Sequence, residues 1–158
     1  MAIAEPGSLR VTLSKGYCLI LNFREFQLSP DDLREGSEID VERLQNTFSQ
    51  LGAVVRTQSD LTSDQVKKEV RALKRLDWTK YDHLVVAIMS HGAEGTFMTS
   101  DSKLPAEYFK VEDFTNALSE CHGLAGKPKI FVINTCRGNV DNPGIFFSSN
   151  FNKRVMLK

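Results

Sequence analysis

The stretch Ile130-Phe131-Val132-Ile133-Asn134-Thr135-Cys136-Arg137-Gly138 decides how this chain is read. The continuous apolar run 130–133 is what a strand buried on both faces requires. It leads into a cysteine on a turn opened by Arg137-Gly138. A second apolar run, 84–89, ends in Ser90-His91-Gly92. Two buried strands therefore each deliver one reactive side chain at the C-terminal end. A free thiol, with a pKa of about 8.5, is mostly protonated at neutral pH. An imidazole beside it can take the proton or stabilise the thiolate. Cys136 and His91 together predict a cysteine–histidine hydrolase.

The rest of the chain supplies a frame for these two strands. Residues 17–22 (YCLILN) form another continuous apolar run, followed by a polar loop over 23–38. Val41, Leu44, Phe48 and Leu51 recur at helical spacing, with Gly52 at the usual stop position. A strand is predicted over 53–57. Thr62 and Gln65 stand at the spacing of a capping box. Val66, Val70, Leu73 and Leu76 then form the apolar face of a helix. Residues 95–109 read as a small hairpin, and Val111, Phe114 and Leu118 mark a third helix. Lys127-Pro128 breaks the chain before the strand at 130–133. Strands alternating with helices predict a three-layer α/β sandwich with a mainly parallel sheet. In such sheets ligands bind beyond the C-terminal strand ends. His91, Cys136 and the 23–38 loop all follow such ends.

Composition narrows the function classes. The chain has 158 residues, enough for one domain, with 41% hydrophobic and 25% charged residues. Twenty basic and twenty acidic residues cancel, which argues against nucleic acid or a membrane as partner. No apolar run approaches the roughly 18 residues of a membrane span. Cys18, Cys121 and Cys136 are odd in number and lack CxxC spacing, so neither a disulfide framework nor a zinc site is expected. A reducing cytosol fits, and no cofactor or metal is implied. Cys18, inside a strand, reads as a packing residue. Cys121 and His122 read as a helix-end or loop pair, and His83 as a surface or strand-edge residue.

Several of these segments carry a family likeness. Asn134-Thr135-Cys136-Arg137-Gly138 is similar to the caspase nucleophile segment, with His91 about 45 residues upstream. Ser90-His91-Gly92-Ala93-Glu94-Gly95 resembles the histidine loop of that family. Gly16-Tyr17-Cys18-Leu19-Ile20, Leu124-Ala125-Gly126-Lys127-Pro128-Lys129 and Arg34-Glu35-Gly36-Ser37-Glu38-Ile39-Asp40 also resemble it. The resemblance is to a caspase large subunit and runs from about Gly16 to Gly138. It implies an endopeptidase cutting after aspartate in apoptotic or immune signalling. His91 and Cys136 would be the dyad, and the N–H groups of Gly92 and Cys136 the oxyanion hole. Gly92 would also let substrate approach the backbone closely. Arg34 would bind the substrate aspartate, because a guanidinium grips a carboxylate with a fixed fork.

Two residues depart from the family pattern. Asn134 stands where the family has glutamine, which also lines the aspartate pocket, and Thr135 replaces an alanine. Asn134 is one methylene shorter, and a lost hydrogen bond in a buried polar pocket costs about 1–3 kcal/mol. The expected division is a lead-in over 1–15, a large subunit over 16–138, and a tail or intersubunit linker over 139–158. The tail shows no period, so the strand at 130–133 is expected to keep an open edge. The domain is expected to be incomplete without a small subunit or another caspase chain. Protein substrates or inhibitors are the other partners implied. The alternative is a weakly active or inactive homologue that regulates an active caspase by binding it or its adaptor.

Overall fold

The computed structural model describes residues 14–103 and 108–135, together with the backbones of strands 144–148 and 154–157. β1 (Gly16–Asn22) is buried along its whole length, as its unbroken apolar run requires. α1 (Ser37–Gln50), β2 (Val54–Ser59), α2 (Ser63–Arg75) and β3 (His83–Met89) follow in order. β4 (Thr96–Phe97) and β5 (Phe109–Lys110) form the small antiparallel hairpin, and α3 (Val111–Ser119) leads to β6 (Lys129–Asn134). β1 pairs in parallel with β2 and β3, and β3 in parallel with β6. The α/β sandwich with a mainly parallel sheet is therefore present.

The sheet order is β2-β1-β3-β6-β7-β8. β7 (Gly144–Ser148) runs antiparallel to β6, and β8 (Arg154–Leu157) antiparallel to β7. The open edge expected on β6 is thus corrected: a strand from the tail, where the sequence pattern indicates none, occupies it.

Alternation along each strand divides the core in two. Leu19, Leu21, Val86, Ile88 and Phe131 face a cluster shared with Val66, Leu73 and Trp78 and with Phe114 and Leu118 of α3. Cys18, Ile20, Val85, Ala87 and Met89 face the other side, against Val41, Leu44 and Phe48 of α1. The helices lie on opposite faces because the chain reverses its direction of travel. From β1 it moves outward through α1 to β2, then crosses back through α2 to β3. The reversal leaves a crevice between the C-terminal ends of β1 and β3, where ligands bind in sheets of this type.

Local chemistry explains the element ends. The Thr62 hydroxyl accepts from the Gln65 N–H at 3.3 Å, and the Gln65 carboxamide accepts from the Thr62 N–H at 2.8 Å, completing the capping box. α1 ends as expected at Gly52, with φ +82, but Leu51 is 62% exposed and does not join its apolar face. His83 is a second correction: it is buried, 4% exposed, as the first residue of β3. At the N-terminal end of the sheet, Lys129 is buried and its Nζ donates to the carbonyls of Leu124 (2.9 Å) and Lys127 (3.1 Å). Burial holds its pKa below the usual lysine range. Lys127 Nζ donates to the carbonyls of Trp78 and Tyr81. The two lysines flanking Pro128 thus tie the turns around Trp78 and Leu124 to the start of β6 through backbone carbonyls.

Candidate active site

The strand ends lie level with one another. Asn22 of β1 pairs with Met89 of β3, and Met89 with Asn134 of β6. The ladder continues one residue further on each side: the Phe23 N–H donates to the Met89 carbonyl at 2.9 Å, and the Ser90 N–H to the Asn134 carbonyl at 3.1 Å. Loops from β1 and β3 therefore start at one height, on either side of the crevice.

His91 is half-buried in the loop after β3. Its Nε2 lies 2.8 Å from the carbonyl oxygen of Asp32, in the loop after β1. A carbonyl can only accept, so this contact requires a proton on Nε2. In the neutral ring Nδ1 is then the basic nitrogen. The imidazole also packs against Phe26, with ring centroids 5.1 Å apart. Its backbone is fixed by the Met98 N–H donating to the His91 carbonyl at 2.8 Å, and the Ser90 hydroxyl donates to the Met98 carbonyl at 2.7 Å. Sequence reading found His91 but neither of its supports. A backbone carbonyl has no residue-type signature, so nothing in the sequence marks Asp32. Phe26 left a faint signal as an aromatic in a polar loop.

Arg34 is anchored on the other wall. Its Nη1 donates to the Phe23 carbonyl at 2.9 Å and to Asn22 Oδ1 at 3.1 Å. Asn22 is buried, and its Nδ2 donates to the Ser37 hydroxyl at 3.1 Å. The Arg34 N–H donates to the Arg24 carbonyl at 3.0 Å. His91 and Arg34 thus both depend on the β1 loop, one through Asp32 and the other through Phe23 and Arg24.

Gly92 is crowded from within the molecule. A Cβ there would sit 2.3 Å from the Thr96 carbonyl oxygen and 3.0 Å from Phe97 Cα. The close approach that demands glycine is made by β4. Asn134 is exposed at the end of β6. Cys136 lies outside the described residues. Of the other cysteines, Cys18 is fully buried, which pushes its thiol up to about 12 and leaves it a packing residue. Cys121 is also buried, with its thiol 3.8 Å from the Lys74 carbonyl. A cavity of about 580 Å³ beside α2 and α3, lined by Lys67, Val70, Arg71, Asp101, Phe109 and Phe114 among others, shares no lining residue with the His91–Arg34 crevice. Among the described residues no helix is long and apolar enough to cross a membrane.

A family model of the caspase domain matches residues 15–155, from the start of β1 into β8. The chain belongs to the caspase family. It is 30% identical to caspase-8 of Mus musculus over 148 residues, covering 89% of this chain and 30% of that protein. Against caspase-8 of Rattus norvegicus it is 35% identical over 133 residues, covering 79% and 27%. Against caspase-3 of Mus musculus it is 34% identical over 131 residues, covering 82% and 46%. The chain therefore spans less than half the length of these curated relatives. Membership makes it a relative of cysteine peptidases, and the crevice with His91 is the part of the caspase fold described above.

Proposed function

We propose that this chain is the large-subunit part of a caspase-type cysteine endopeptidase that cleaves after aspartate, in apoptotic or immune signalling. The observation that carries the reading is the 2.8 Å contact between His91 Nε2 and the Asp32 carbonyl. It leaves Nδ1 as a base in the crevice where Arg34 is also held. Met89 pairs with Asn134, so Cys136 follows β6 at the same offset as His91 follows β3. In the proposed reaction Nδ1 takes the Cys136 proton and the sulfur attacks the peptide carbonyl carbon. The N–H groups of Gly92 and Cys136 receive the oxyanion. The tetrahedral species collapses as Nδ1–H returns the proton to the leaving amine. Water, deprotonated by the same imidazole, then releases the acyl group from sulfur. Arg34 and Asn134 face the aspartate carboxylate in this scheme.

Residues 16–138 are the large subunit in this reading, with a lead-in over 1–15 and an intersubunit linker region over 139–158. The partner is a caspase small subunit or another caspase chain. Ile130 and Val132, only partly buried on the face that α1 covers, support a further covering element. Two buried free thiols fit a reducing cytosol. The test is turnover of aspartate-ended peptides by the full-length protein, beside Cys136→Ala and His91→Ala. Loss of activity by about 10³-fold or more in both is expected. Equal turnover in all three would refute the assignment.

Two observations favour a second reading, a homologue that binds an active caspase or its adaptor with little chemistry of its own. Asn134 is shorter than the family's glutamine, and Arg34 Nη1 is engaged by Asn22 and Phe23. Wild-type protein that turns nothing over yet alters the rate of an active caspase would favour this reading over the first.

A further inference from the structure

Asp60 stands out because it is in the left-handed region without being glycine, at φ +52. It follows the last residue of β2 and lies beside the end of β1: its N–H donates to the Asn22 carbonyl at 2.9 Å. Its carboxylate Oδ1 accepts two backbone N–H groups of the β1 loop, from Arg24 at 2.6 Å and from Glu25 at 2.9 Å. Aspartate is among the few side chains that tolerate this backbone region. In that conformation its carboxylate turns back onto the neighbouring loop.

These bonds continue into the site. Arg24, fixed at its N–H by Asp60, accepts the Arg34 N–H on its carbonyl at 3.0 Å. The Arg34 guanidinium in turn bonds the Phe23 carbonyl, one residue before Arg24. Asp32, whose carbonyl orients His91, lies further along the loop and shares none of these bonds. We infer that Asp60 is a positioning residue for the β1 loop, setting where Arg34 meets the substrate carboxylate. The inference rests on the proposed function for its substrate. Asp60 itself touches no substrate: both N–H groups on Oδ1 belong to the loop backbone. A simple turn residue would hold β2 in place and leave recognition unchanged. A positioning residue shows itself as a change in KM, because a misplaced guanidinium weakens binding of the carboxylate while the His91 base remains.

The test compares Asp60→Gly with Asp60→Asn in the full-length protein. Glycine keeps the positive φ without strain and removes the acceptor. Asparagine keeps both the conformation and an Oδ1 acceptor. Asp60→Gly is expected to raise KM for aspartate-ended peptides about tenfold with kcat within about twofold, and Asp60→Asn to stay within about twofold in both. An unchanged KM in Asp60→Gly, or an Asp60→Asn as impaired as Asp60→Gly, overturns the inference. If Asp60→Gly does not fold, Asp60→Ser, whose hydroxyl is too short to span both N–H groups, replaces it with the same expectation. Wild type that cleaves nothing refutes the proposed function instead. In that case hydrogen exchange at the Arg34 amide decides: faster exchange in Asp60→Gly alone supports the positioning role, and equal exchange overturns it.

Discussion

The two faces of the sheet are built differently. Under α2 and α3, Val66, Leu73, Phe114 and Leu118 are at most 3% exposed, and they meet Leu19, Val86 and Phe131 of the strands. Under α1 the strand residues Cys18, Ile20, Val85 and Ala87 are equally buried. The groups packed on them are not: Val41, Leu44, Phe48, Ile130 and Val132 are only partly covered. Both faces carry apolar rows of similar length, so the asymmetry comes from the helices. Two helices close one face, while a single polar-rich helix covers the other. The crevice opens at the strand ends between them, where the closed face supplies rigidity and the β1 loop, entering α1, supplies the ligand-facing groups.

The largest effect that would expose this contrast is expected from Phe114→Ala. Phe114 is 1% exposed and lies against Phe97 at the centre of the closed face. Truncation there should destabilise by about 3–5 kcal/mol, read from the denaturant midpoint. Phe48→Ala on the other face removes a ring that is only partly buried. It should cost about 2 kcal/mol, since the area withdrawn from water is smaller. Equal costs for the two would break the comparison. Thr62→Ala at the start of α2 tests whether the closed face also depends on its cap. Loss of the capping box should cost about 1 kcal/mol in the same titration.

The same contrast explains what could be read from the sequence. The parallel strands are legible, because burial of β1 and β3 on both faces demands the unbroken apolar runs at 17–22 and 84–89, and β6 carries a third at 130–133. α2 was legible from its cap and its apolar stripe. Helical periodicity places Leu51 on the apolar face because it cannot tell that the chain has already turned out of α1 into solvent. The burial of His83 is not legible, because it comes from packing against Gly16, which is distant in sequence. β7 escaped because nothing in residues 139–158 repeats with period two. Within the site, His91 is legible as a residue type at a strand end, and Arg34 only through the resemblance of its loop to that of the family. The Asp32 carbonyl is not, since any residue type supplies one, and the role of Asp60 is not, since its carboxylate meets Arg24 and Glu25, which are distant in sequence.

His83 supplies the smallest and most specific test. It begins the row of β3 that continues through Val85, Ala87 and Met89 on the α1 face, and it lies opposite Gly16. A Cβ at Gly16 would fall 2.3 Å from its Nε2, so the imidazole occupies the space a side chain would need. Its Nδ1 is buried with no hydrogen-bond partner. Burial lowers its pKa below the ordinary 6.5, and the neighbouring Asp82 opposes the shift only in part. The neutral ring is therefore favoured in the folded protein, while the unfolded chain takes up the proton more readily. Stability from this residue is present above about pH 6.5 and declines as the pH falls through that value. The denaturant midpoint of the wild type should drop between about pH 7.5 and 5.5, and His83→Phe, which keeps a ring against Gly16 but cannot titrate, should drop less. Identical slopes for the two proteins would show that the α1 face tolerates a charged imidazole, and that its edge is open to water where the burial of His83 makes it closed.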